Sequence, residues 1–433
     1  MNRLLSVLFW SIIAAAFIGP GTVTTCAAAG AGYGYGLLWA LTFSTVATLV
    51  LQEASARIAI VSGLNLGQAI RKQYFGTRRG PLVLALIVGA IIFGCAAYQT
   101  GNILGAVNGA ALAVGWPSKV LTLLIGAAAG FILFMGAPRT IAYVLSITVA
   151  LMGVAFLITA VMLKPSLAPL LRGSLIPSLP VNSGLLVLGL VGTTVVPYNL
   201  FLGSGIAGGQ SLSLMRFGLA VAVVLGGVIS MGVLIVGTAV AGGFTFENLA
   251  QALSERLGDW TRGFFAMGLF AAGFSSATTA PLAAAITAAS LFEKDGQKLW
   301  TTGGWRYRAI WLGILLTGIG FGLSNVRPIP AIILAQALNG FVLPFAAIFL
   351  LLVVNDRAVM GAANLNGRLS NWIMAIVVAV TILLGATNVL RAGAAIFGID
   401  PNERWILLLS VVAAAGLSVP ISRAMQTRRS GQN

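Results

Sequence analysis

The sequence predicts an all-α polytopic membrane protein made of two five-helix halves, with about two further helices at its C-terminal end. Three observations lead there. The chain of 433 residues is 58% hydrophobic and 8% charged, whereas a soluble domain carries about a quarter charged residues. Its apolar runs reach the ~20 residues that cross a bilayer's hydrocarbon. Two runs, in matching places of two halves, are broken near their middles, one by Gly19-Pro20-Gly21 and the other by Pro197. Paired interruptions of this kind point to a carrier's binding site.

Twelve spans are expected, near 8–29, 36–60, 82–111, 118–136, 140–163, 184–206, 216–241, 262–292, 307–324, 329–354, 371–390 and 405–422. The first follows only Arg3 and is too long, with the wrong flanks, for a cleaved signal peptide. The halves are 8–163 and 184–354, with 371–422 as addition, all in one transmembrane domain over 1–433. The prolines of 164–182 mark the join between the halves. The most polar external loop is 242–261, and 291–308 is a charged internal loop.

The net charge of +16 is a matter of placement. With the N-terminus inside, 17 of the 25 basic residues fall on inner ends and loops, among them Arg71, Arg216, Arg357 and Arg368. Lys and Arg accumulate on the cytoplasmic side, so both termini are expected there, in a bacterial-type inner (plasma) membrane. The basic tail Arg423–Arg429 reads as a topology anchor. The partner is the lipid bilayer, and no nucleic acid is expected. Cys26 and Cys95 lie in different spans, outside any metal-ligand spacing, and read as small core residues.

Five stretches resemble the Nramp family of divalent-metal transporters, which share the inverted-repeat fold of the LeuT group. GPGTVTTCAAAGAGYGYGLLW (19–39) is similar to the family's DPGN, small-residue stretch, YGY and LLW. LQEASARIAIVSGLNL (51–66) is similar to LQ-x-x-SAR-x-G-x-x-TG. GTTVVPYNLFLGS (192–204) stands against GAT-x-MPHNLYLHS, and GLFAAGFSSATTAPLA (268–283) against GLLAAGQSSTITGTLAG. The tenth span runs through Gln336 and LPFA (343–346) into DRAVMG (356–361). The resemblance covers nearly the whole chain. It implies discontinuous first and sixth helices and alternating access.

The departures fall on the chemistry. The family's metal-binding aspartate and asparagine fall on Gly19 and Thr22, its methionine on Val196 and its histidine on Tyr198. The small residue three before that methionine becomes Thr193. The acidic pair often found in the family's third helix falls on Gln99 and Asn102. A bare divalent cation in a low-dielectric pocket needs anionic or several strongly dipolar ligands, and manganese or iron selectivity uses a softer one. Proton coupling needs a titratable relay. This chain has no histidine. Glu53 is the only acid within a predicted span. Arg57, four residues on, pairs with it as a structural ion pair or inner-gate element.

These residues lead to a secondary carrier of a small polar organic solute, neutral or zwitterionic. Its expected substrate-binding residues are Gly19, Gly21, Thr22, Thr193, Val196, Tyr198, Asn199, Gln336 and Asn339. The expected pathway or coupling residues are Gln99, Asn102, Ser275, Ser276, Glu53 and Arg57. No resident metal and no cofactor is expected. The alternative cargo is a divalent cation such as magnesium or manganese, as in the parent family. A non-transporting sensor is disfavoured, since helix breaks without a substrate only destabilise. An enzyme is disfavoured because no nucleophile–base pair or phosphate loop occurs. A monomer is compatible with this reading, and the sequence leaves the oligomeric state open.

Overall fold

The computed structural model describes residues 3, 5–7, 9–10, 18–74, 76–78, 80–136, 139–293, 300–396 and 403–431. These form α1 (Pro20–Tyr33), α2 (Leu38–Ser62), α3 (Leu66–Tyr74), α4 (Gly80–Val114), α5 (Ser118–Met135), α6 (Arg139–Met162), α7 (Leu167–Leu175), α8 (Gly184–Thr194) and α9 (Pro197–Ile206). They continue with α10 (Leu212–Gly237), α11 (Phe246–Leu257), α12 (Trp260–Phe292), α13 (Trp305–Leu323), α14 (Pro328–Val353), α15 (Arg357–Met360), α16 (Arg368–Ile396) and α17 (Glu403–Ser430). No strand occurs among the described residues.

From the second span onward, each expected span coincides with a helix. The last two, α16 and α17, run further than the apolar pattern suggested. Among the described residues nine helices are long and apolar enough to cross a membrane. The first two expected spans run together there as Pro20–Ser62, and α6 and α13 are not among the nine. The chain is an integral membrane protein of LeuT-type fold. The expected first half of the first span, at 11–17, and the charged segment 294–299 lie outside the described residues.

Two features position the site. Nearly all of α1 is buried, from Pro20 to Ala27 and again at Ala29 and Gly30, and it packs against α10, α8, α14 and α4. A helix buried on every side needs no polar face, which explains its run of small apolar residues. Next to it, α4 and α12 approach at backbone distance. A Cβ at Gly109 would meet the Phe270 amide, and one at Gly273 the Ala106 amide.

The two ends of the bundle are closed differently. At the end away from the basic clusters, the 164–182 connection, which contains the amphipathic α7, is tied to the α1–α2 turn. Trp39 Nε1 donates to the Ser178 carbonyl at 2.9 Å, and Ser178 Oγ to the Gly36 carbonyl at 2.8 Å. The other end, here the basic face, carries Arg71, Lys72, Arg216, Arg357 and Arg428. There Ser6 Oγ donates to the Leu214 carbonyl at 2.6 Å.

Candidate substrate site at the two helix breaks

Both breaks follow one rule. The residue before a proline is pushed out of the helical region into extended backbone, and proline is at home in the first position of a helix. Gly19 is extended (φ −103°, ψ −177°) ahead of Pro20. Val196 is extended (φ −85°, ψ 116°) ahead of Pro197. The structure therefore opens α1 at Pro20, and splits the sixth span into α8 and α9 with Val195 and Val196 between them. The N-termini of α1 and α9 carry unpaired N–H groups and partial positive charge, and the last turn of α8 carries unpaired carbonyls and partial negative charge. One of those carbonyls, on Thr194, accepts from Thr48 Oγ1 at 3.1 Å.

Side chains converge on this gap from four further directions. The Thr22 and Thr193 hydroxyls bond to each other at 2.8 Å, joining α1 to α8. Tyr198 of α9 meets Tyr98 of α4 edge to face, with ring centroids 5.5 Å apart. The Tyr98 hydroxyl lies toward Thr193 but outside hydrogen-bond geometry. Gln336 of α14 is fully buried. Its carboxamide fills the notch at Gly21, where a Cβ would collide with it, and it also lies against Gly101 of α4. Ser276 of α12 stands 3.4 Å from where a Gly19 Cβ would sit.

What these groups lack is partners. Among the described residues, eight buried side-chain atoms on the helices that meet at the breaks have no hydrogen bond: Thr25 Oγ1, Tyr98 Oη, Asn102 Oδ1, Tyr198 Oη, both amide atoms of Asn199 and both of Gln336. Leaving one buried group unsatisfied costs about 1–3 kcal/mol. Eight of them rival the ~5–15 kcal/mol by which a folded domain is stable. A fold tolerates that concentration where a ligand supplies the missing bonds.

The other expected residues are placed as follows. Asn199 is held by its backbone, whose carbonyl accepts from Gln52 Nε2 at 2.9 Å, and its buried carboxamide has no partner among the described residues. Asn339 donates to the Ala335 carbonyl at 3.3 Å, and its Oδ1 faces Gly94. Val196 is buried, and its carbonyl accepts from the Asn199 amide at 3.0 Å. Gln99 is turned away from the breaks: its Nε2 donates to the Ala277 carbonyl at 3.0 Å, and its Oε1 faces the Asn102 amide at 3.4 Å. Ser275 is half-buried, and its carbonyl takes the Thr278 and Thr279 hydroxyls. Glu53 and Arg57 pair at 3.2 Å, remote from the breaks on the basic face, where Arg216 also reaches Glu53 at 2.9 Å.

Tyr98 is the residue that sequence reasoning missed. The signal was helical spacing. Gly94, Tyr98, Gly101 and Gly105 lie three or four apart, on one face of α4. That face meets Asn339, Tyr198, Gln336 and Pro20. Gln99 sits a hundred degrees round the helix and cannot share it. The basic tail, expected as a topology anchor, also makes contacts that the sequence did not announce: Arg428 pairs with Asp356 at 3.2 Å and Arg429 donates to Asn355 Oδ1 at 2.7 Å.

Comparison with known proteins fits this geometry. A family profile described as natural resistance-associated macrophage protein-like, Nramp, matches residues 11–391. The chain belongs to the Nramp family. The divalent metal cation transporter MntH of Aeromonas hydrophila is 27% identical over 397 residues, covering 87% of this chain and 93% of that protein. The crystal structure of the Eremococcus coleocola manganese transporter, bound to an aromatic bis-isothiourea compound, superposes with a TM-score of 0.70 at 20% identity, over 98% of this chain and 93% of that one. Mhp1, a nucleobase-cation-symport-1 family transporter, superposes at 0.57 and 17% identity, over 97% and 95%. As an Nramp member the chain is a membrane transporter. Among its described residues no three His, Cys, Asp or Glu side chains cluster as a metal site.

Proposed function

We propose that this Nramp protein is an alternating-access secondary carrier whose cargo is a hard divalent cation, taken up with part of its water shell. Kinship with divalent-metal transporters supports the cation over the organic solute expected from the sequence. The observation that carries the reading is the composition of the unpartnered set: six of its eight atoms are oxygens. Hard cations such as magnesium bind oxygen and give up water reluctantly. Neutral oxygens that hydrogen-bond to a hydrated ion avoid the cost of stripping it beside no carboxylate. Manganese and cadmium, which gain from sulfur or imidazole, find neither at Val196 or Tyr198. With no histidine in the chain and amides at Gln99 and Asn102, transport runs without proton coupling. The basic face is cytoplasmic, as the placement of Lys and Arg favours, in a bacterial-type inner membrane.

One observation favours a second reading. The Asn199 and Gln336 amide N–H groups are also unpaired, and two helix N-termini point into the gap. Donors and positive dipoles suit a zwitterion's carboxylate and do nothing for a cation. The test is flux into proteoliposomes, combined with thermal stability, since a ligand of the folded state raises apparent stability. Magnesium uptake with weak manganese uptake is the expected result. Uptake of a zwitterionic amino acid with no flux of any divalent ion would replace the first reading with the second.

A further inference from the structure

On the basic face the end of the chain is bound into a continuous polar network. Arg428 Nη1 meets Asp356 Oδ2 at 3.2 Å, and its guanidinium lies 5.0 Å over the Tyr74 ring of α3. Gln73, also of α3, donates to the same Asp356 oxygen at 2.7 Å. Arg429 Nη1 donates to Asn355 Oδ1 at 2.7 Å and to the Asn366 carbonyl at 2.9 Å. Asn355 and Asn371 exchange bonds of 2.8 and 3.0 Å. Asn366 Oδ1 accepts from Arg57, which also donates to the Asn364 carbonyl at 3.1 Å and pairs with Glu53, the partner of Arg216. The chain of contacts thus runs from α17 through α3, α14 and α16 to α2 and α10. Asp356, Asn355 and Asn366 are buried, so these bonds form out of water, where a lost partner is costly.

The network joins two groups of helices that carry opposite sides of the site. α2 grips α9 through Gln52 to the Asn199 carbonyl, at 2.9 Å, and through Ser55 to the Leu200 carbonyl, at 2.5 Å. α2 and α9 therefore move together, with Tyr198 and Asn199. Gln336 and Asn339 belong to α14, whose far end carries Asn355 and Asp356. α9 of the first group lies in contact with α14 of the second.

We infer that the C-terminal arginines Arg428 and Arg429 form a latch that holds the α2–α9 pair against α14 and keeps the basic-face side of the site closed. The inference goes beyond the transported cargo and needs only that the site opens toward that face. Release of the latch shifts the protein toward the open state by a population change, with no new contact at the site.

Cys95 reports on this. It is buried on α4, one turn before Tyr98, and in a Cys26→Ala background it is the only thiol of the chain. Maleimide labelling of the purified protein then reads opening without any substrate, so a wrong cargo assignment leaves this test intact. Arg428→Gln with Arg429→Gln is expected to raise the labelling rate roughly tenfold, within the usual range of coupling between sites. Arg429→Gln alone, the milder change, raises it less. Arg423→Gln, an exposed charge on the same helix end, leaves it unchanged. Exchanging the charges with Arg428→Asp and Asp356→Arg brings the rate back toward the parent value. An unchanged rate in Arg429→Gln and in the double variant, each with a normal melting temperature, overturns the latch. So does an equal rise in Arg423→Gln.

Discussion

The centre of the protein and its basic face are both buried and polar, yet they are built on opposite principles. At the helix breaks the groups are neutral, and eight atoms have no partner. On the basic face the groups are charged or strongly dipolar, and Asp356 alone takes Gln73, Arg428 and the Ala358 amide. On the proposed reading, the unpaired groups at the breaks are an unfinished shell that a cargo completes. Paired ones hold a conformation. Polar side chains buried in a membrane protein therefore have to be sorted by satisfaction before function is assigned to them.

Four measurements test that contrast. The largest effect is expected from Asp356→Ala, which strands Arg428 and Gln73 in a buried setting. Removing one partner of a buried ion pair costs about 3–5 kcal/mol, read as a fall in melting temperature of the detergent-solubilised protein. A melt like the parent's would mean that the basic-face network is not holding the fold. Next comes Gly21→Ala. The added methyl meets the Gln336 carboxamide, and overpacking of this kind costs about 1–3 kcal/mol. Gln336→Ala in the same chain should recover most of that loss, a coupling that a double-mutant cycle isolates. Additive losses would place Gln336 elsewhere.

Smaller in stability, and sharper for function, is Tyr198→Phe. It deletes a hydroxyl that has no partner, so the melting temperature should stay level or rise. Cargo binding should weaken by about 1–3 kcal/mol if the hydroxyl serves the cargo. A stability loss with normal binding would move Tyr198 from the site to the core. The smallest expected effect is that of pH. The chain has no histidine and no carboxylate among its described residues is placed at the breaks, so uptake between pH 5.5 and 8 should be flat and a proton gradient should not drive it. A steep acid optimum would expose a proton relay among groups taken here as inert.

The two breaks were legible because they are local. A residue before proline is extended whatever surrounds it, and Gly19 and Val196 both obey. Thr22, Thr193 and Gln336 were singled out by the family pattern laid over those breaks; the Thr22–Thr193 bond itself was not foreseen. Tyr98 was not singled out, for a rotational reason: one residue along a helix is a hundred degrees, and it is Tyr98, not its neighbour Gln99, that meets Tyr198. The arginine network was illegible for a different reason. Arg428 and Asp356 lie 72 residues apart, and Arg57 and Asn366 lie 309 apart. No periodicity or motif ties them. In sequence, a basic tail that pairs with the protein looks the same as one that faces lipid headgroups.

The face of α4 that carries Gly94, Gly101 and Gly105 has a mechanical consequence. Helices usually interlock, because side-chain ridges of one sit in grooves of the other and fix a register. A row of glycines has no ridges. Pro20, Gln336 and Asn339 rest there on bare backbone, with Tyr98 as the single tooth. Neighbours on such a surface can shear past it without first unpacking rotamers. That face of α4 is thus a smooth track, toothed only where it meets Tyr198.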